Sequence, residues 1–133
     1  NSYILILSFA IRELTDRNSG MSNAKREEKY QQYVRGWVEY FRLADMKNLL
    51  KTTDEWARRR IRAVYWKQWK KIRTRYRMLK TLGMEHWKAL ELARSRKGYW
   101  RMAQVLNQVF SNKIIAKLGY ISLLDHYLIV YEN

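Results

Sequence analysis

The chain has 133 residues, enough for one domain or one domain with a small appendage, and 47% of them are hydrophobic, which supplies a buried core. It contains no Cys and no Pro and only five Gly, so disulfide frameworks and thiolate metal sites are excluded and little interrupts helix. The net charge of +15 is unevenly placed: between Trp56 and Leu118 eighteen Lys and Arg face only Glu85 and Glu91. Such a block calls for a polyanionic partner.

In chain order, a first apolar helix is expected from about Tyr3 to Leu14. "YILILSFA" is too short to cross a bilayer and has no basic segment before it, so no targeting signal is read there. The absence of Cys fits a reducing, cytoplasmic setting. The chain opens on Asn rather than Met, which reads as a piece of a longer protein. "TDRNSGMS" marks a loop, and Ser22 caps the next helix. That helix carries Tyr30, Tyr33, Val34, Trp37, Val38 and Phe41, an amphipathic stripe. Gly36 lies inside it, where close approach of another backbone would explain a residue that costs about 1 kcal/mol relative to Ala.

"LADMKNLL" reads as a short helix. "TTDE" then offers a capping box, with Thr52 as N-cap and Glu55 reaching back. The helix it opens is expected to run to Leu82, with Gly83 just past its end. Ala57, Ile61, Val64, Tyr65, Trp69, Ile72, Tyr76 and Leu79 form its core stripe. Further helices are expected near Glu85–Arg94, after "SRKGYWRMA", and over "SNKIIAKLG" up to Gly119. A last one, "LLDHYLIVY", is capped by Ser122. No strand alternation is sustained. The expected fold is all-α, a small bundle of about six helices around a long basic one, with residues 1–82 as one unit and 83–133 packed on or appended to it.

The segment Arg58–Arg77 carries ten Lys and Arg and no acid. On a helix, Arg59, Arg62, Trp66, Lys70, Arg73 and Arg77 fall on one side, widened by Arg60, Lys67, Lys71 and Arg75. Like charges at this spacing repel, by a few tenths of a kcal/mol per pair, and a phosphate backbone relieves them. Arg suits that task because its planar fork reaches two phosphate oxygens and its flat face stacks on bases. The alternatives are a solvated helix face and a basic amphipathic helix lying on anionic lipid. The large aromatics of the apolar stripe favour a packed core over a bilayer. "SRKGYWRMA" repeats the combination, with Arg96, Lys97 and Arg101 around Gly98, Tyr99 and Trp100, whose rings serve either the core or base stacking.

Catalytic groupings are missing. His86 and His126 have no partner at ligand spacing, the twelve acids are dispersed, and no phosphate loop or nucleophile elbow occurs. The acid pairs Glu27–Glu28 and Asp54–Glu55 are expected at helix starts. Neither a cofactor nor a metal ion is expected.

Three long motifs carry a resemblance. "IRELTDRNSGMSNAKREEKYQQYVRGWVEYFRLADMKNLL", "DEWARRRIRAVYWKQWKKIRTR" and "LGMEHWKALELARSRKGYWRMA" resemble the C-terminal region of group II intron reverse transcriptase/maturases, over about Ile11 to Tyr127. The resemblance implies the thumb, or maturase-specific X domain, and the short basic segment after it. It implies binding of structured intron RNA or template–primer, with DNA or an RNA–DNA duplex as a further partner, in aid of splicing and retrohoming. Arg35, with Gly36 and Trp37, matches the family's thumb helix. Arg58, Arg59, Arg60, Arg62, Trp66, Lys67, Trp69 and Lys70 match its basic helix, and Arg96, Lys97, Gly98 and Trp100 its later motif.

The parent proteins are RNA-directed DNA polymerases whose upstream fingers and palm carry a Tyr-x-Asp-Asp motif, absent from this sequence. The Cys and His residues of the HNH endonuclease appended to some members are absent too. Before Ile11 the family has a Lys/Arg-rich helix, whereas this chain is apolar there. Self-association through that segment is therefore expected, and a monomeric sedimentation profile at high concentration would argue against it. A stand-alone DNA-binding module and a fragment working only within a polymerase are the other readings.

Overall fold

The computed structural model describes residues 2–37 and 47–131, which contain eight α-helices and one 3-10 turn and no strand. The bundle is all-α, with two helices more than expected. Its axis is α3 (Lys47–Gln68), about 33 Å long at 1.5 Å per residue. Against it pack α1 (Ser2–Leu14), α6 (Tyr99–Val105) and α8 (Leu123–Tyr131), while α2 (Asn23–Trp37) lies against α1 and α8. Beyond α3, α4 (Ile72–Thr81) pairs with α5 (His86–Ala93). The turn Leu106–Gln108 continues α6 and leads to α7 (Asn112–Lys117). One hydrophobic cluster joins them, from Leu7 and Ile11 through Tyr30, Leu50, Ile61, Trp66 and Leu79 to Met102, Ile115 and Leu123.

Helix α1 buries Leu7, Ile11 and Leu14, one face at helical spacing, and leaves Leu5, Ile6 and Phe9 exposed, Leu5 by 70%. Thr15 ends it by donating its hydroxyl to Ile11 O at 2.7 Å. The loop to α2 is pinned by Arg26, a buried guanidinium. It donates to Leu14 O, Asn23 Oδ1 and Met21 O at 2.6–2.9 Å. Ser22 caps α2 as expected, accepting from Lys25 N at 3.2 Å. Tyr30 and Val34 are buried and Tyr33 is exposed. Val38 and Phe41, the rest of the stripe, lie outside the described residues, as do Leu43–Met46 of the expected short helix. Among the described residues nothing approaches the position a Gly36 side chain would take.

Two expectations about α3 are corrected. It does not begin at Thr52, whose hydroxyl donates back to Asn48 O at 2.9 Å inside a continuous helix. The acid beside it caps a helix distant in sequence. Asp54 is buried, and its carboxylate accepts from Ser122 Oγ, Leu123 N and Leu124 N at 2.7, 2.8 and 3.0 Å. Burial pushes this carboxyl up from the usual range, and these hydrogen bonds and Arg58 oppose the shift. Ser122 completes the cap of α8, accepting from Asp125 N at 3.2 Å.

Nor does the helix run on to Leu82. It stops at Gln68, Lys71 is extended, and α4 restarts at Ile72. The break lets Trp69 turn inward to stack on Phe110, centroids 6.0 Å apart, and brings Arg75 back over the Trp66 ring at 4.3 Å. Ile72, expected in the core, is exposed as a result. The end of α4 follows the expectation. Gly83 takes φ +103°, with Gly83 N donating to Lys80 O and Met84 N to Leu79 O. This paired closure requires a left-handed residue, which glycine supplies without steric cost. Gly119 closes α7 in the same way, and there a Cβ would sit 2.8 Å from Gln31 Nε2, displacing that side chain, and 3.2 Å from Glu27 Cβ. Among the described residues no helix is long and apolar enough to cross a membrane.

Candidate nucleic-acid interface

Four cations of α3 are held by neutral acceptors. Arg59 Nε and Nη2 both donate to Trp100 O, at 3.0 and 2.9 Å. Arg60 donates to Thr15 Oγ1 at 2.8 Å and to Arg12 O at 3.2 Å. Lys67 reaches Arg17 O at 3.1 Å and also Asn18 Oδ1. Arg62 grips Phe110 O at 2.7 Å and Asn112 Oδ1 at 2.8 Å. Each bond fixes a charged group without cancelling its charge. An ion pair among the described residues, Lys88–Glu91 at 3.9 Å, belongs to α5.

Aromatic rings supply the rest of the support. Arg12 and Arg60 lie over Trp56 at 5.7 and 5.4 Å, Arg17 over Tyr99 at 4.9 Å, and Arg59 over Trp100 at 4.0 Å. The ring quadrupole attracts a cation and leaves its net charge intact. Burial pushes Arg62 down to about 10, helped by Arg58. It also lowers Arg60, with Arg12 and Arg17 adding repulsion, and Arg75. Guanidinium groups stay protonated at neutral pH despite such shifts.

These side chains border three clefts. One, about 360 Å³, lies between the end of α1, the α1–α2 loop, α3 and α6; Arg12, Arg17, Trp56, Arg60 and Trp100 line it, with Asp16 on its wall. The next, about 480 Å³, shares Arg17 and Asn18 with the first and adds Arg26, Lys67 and Lys70. Together they form a basic groove between the α1–α2 loop and α3. The third, about 670 Å³, is lined by Arg58, Arg59, Arg62 and Lys113 together with Glu55.

The residues named from sequence fall into distinct places. Lys70, Lys71, Arg73 and Arg77 are exposed at the α3–α4 break and along α4, and Arg75 is half-buried against Trp66. Arg96 and Lys97 are exposed in the α5–α6 loop, and Arg101 on α6. Arg35 is exposed in the last turn of α2 and lines none of the three clefts. The expected outward face of α3 is corrected at two positions: Trp66 is 0% exposed and Arg62 only 5%. The cause is α6 and the turn after it, which cover a side of α3 that an isolated helix would leave in water. Gly98 precedes α6 as its N-cap, with open space around it.

Sequence reasoning missed Arg12, Arg17 and Trp56. The two arginines lie outside the basic window and alternate with Glu13 and Asp16, so their local charge count is near zero. Only the folding of the loop onto α3 brings them beside Arg60 and Lys67. His86 accounts for itself locally, its Nδ1 lying 2.6 Å from the Tyr76 hydroxyl. Among the described residues no three His, Asp or Glu side chains gather to hold a metal ion.

The fold and the groove define an all-α module that holds guanidinium groups in place beside aromatic rings. The family model of the group II intron maturase-specific domain matches residues 7–83, more than half of the chain, and the chain belongs to that family. The match runs from α1 to the glycine that closes α4. No curated protein matched the chain.

Proposed function

We propose that this chain is the RNA-binding thumb and maturase part of a group II intron-encoded reverse transcriptase. It holds structured intron RNA, template–primer, or both, to assist splicing and retrohoming. The observation that carries this reading is a groove lined by Arg12, Arg17, Arg26, Arg60, Lys67 and Lys70 against one carboxylate, Asp16, with Arg60 and Lys67 fixed by neutral oxygens. A phosphate backbone is the partner that such a surface lacks. Phosphate contact fixes register, and the chemistry belongs to fingers and palm upstream of this region. Residues 1–82 would then form the maturase-specific unit and 83–133 the basic segment packed on it, adding Arg96, Lys97 and Arg101 to the surface.

A stand-alone DNA-binding module is the second reading, favoured by the same charges. Binding of a folded group II intron RNA, set against duplex DNA of equal charge, separates the two. The proposal expects the RNA to bind more tightly at every salt concentration. Equal affinities that vanish together as salt rises would leave a nonspecific polyanion surface.

A further inference from the structure

The cleft between the α1–α2 loop, Trp56 and Trp100 is more than a stretch of basic surface. Its volume of about 360 Å³ lies within the roughly 300–1,000 Å³ of small-ligand pockets. Trp100 lines it and is 43% exposed even though Arg59 covers one face of its indole at 4.0 Å. Arg59 is itself anchored there, because it also donates twice to the Trp100 carbonyl. Arg60 is equally committed, to Thr15 and to Arg12 O. Arg12 and Arg17 differ from it. Among the described residues their side chains rest on Trp56 and Tyr99 and donate no hydrogen bond within the protein. Both forks are available to an anion.

Resting on the RNA-binding reading above, we infer that this cleft takes one unstacked nucleotide of a single-stranded RNA segment. Its base stacks on Trp100 and its phosphate meets Arg12 and Arg17. A base within a duplex cannot enter, since both of its faces are already covered by neighbours. A cleft of this size admits one base and its sugar-phosphate, not a run of them. Asp16, on the cleft wall, accepts from Asn18 N at 2.9 Å through Oδ1, which keeps that carboxylate engaged with the loop.

The test compares binding of the whole chain to a short oligoadenylate and to an abasic ribose-phosphate strand of equal length. The two strands carry the same phosphates and differ only in bases. One stacked base makes the oligoadenylate roughly 5- to 150-fold tighter. Trp100→Ala should abolish that preference, and a helical circular-dichroism spectrum matching that of the unaltered chain shows that the variant is folded. Trp100→Phe should restore most of the preference. Preference for bases that survives Trp100→Ala, or its absence from the unaltered chain, overturns the nucleotide cleft while RNA binding stands. If neither strand nor folded RNA binds, the broader proposal fails with it.

Discussion

Replacing Trp66 by alanine is expected to lower stability by about 3–5 kcal/mol, the cost of removing a large aromatic from a packed core. That is a large part of the roughly 5–15 kcal/mol that holds a typical domain together. Trp66 is 0% exposed and meets Trp69 edge-on, centroids 6.2 Å apart. It also carries Arg75, whose guanidinium lies 4.3 Å from the ring centre and donates to Trp66 O at 3.2 Å. The Arg75 Nε is buried with no hydrogen-bond partner, so the ring is its main compensation. Truncation therefore leaves a void and a half-buried cation that has lost its cover. Urea unfolding of Trp66→Ala beside Trp100→Ala provides the check. The second variant alters a part-exposed ring and should lose far less. A Trp66→Ala protein of unaltered stability with weakened RNA binding would place this residue at the interface instead.

Arg62→Ala is expected to cost about 2–4 kcal/mol, because it strands a buried acceptor and removes the packing of the side-chain stem. Phe110 is buried, and its carbonyl accepts from Arg62 Nε at 2.7 Å while Nη2 reaches Asn112 Oδ1. This fork ties α3 to the turn that leads into α7. Arg62→Lys should recover only part of the loss, since one ammonium cannot reproduce two donors in a fixed plane. Denaturant midpoints of the two variants measure this. An exposed arginine serving nucleic acid alone would leave stability within about 0.5 kcal/mol.

Trp66 and Arg62 mark the limit of what the sequence makes legible. The helical pattern, the Ser22 and Ser122 caps and the closing glycines Gly83 and Gly119 are local features, and each is found where the residues place it. The concentration of charge on one segment is equally local. Which side of that segment faces water is not, because it depends on α6 and α8, which follow it in the chain. A helical projection gives α3 one buried stripe, whereas a central helix is covered from several directions. The break at Trp69–Lys71 carries no Pro or Gly to announce it; tertiary packing of Trp69 and Arg75 replaces a local signal. Asp54 shows the same effect from another side: an acid suited to a helix start serves α8, 69 residues from its Leu123 partner. Arg12 and Arg17 were hidden because acids balance them in sequence, whereas folding adds Arg60 and Lys67 beside them and leaves Asp16 as the one acid lining their cleft.

The most direct test of the central claim is the salt dependence of affinity for a folded group II intron RNA. It should be measured on the chain and on the variant Arg12→Gln/Arg17→Gln/Lys70→Gln. If about six phosphates are contacted, log K should fall with log salt at a slope of roughly −4 to −6. The variant should bind more weakly at low salt, with a slope shallower by about 2–3, near one unit for each charge removed. Binding that ignores salt, or a slope that the three substitutions leave unchanged, would contradict the claim that this groove holds the RNA backbone.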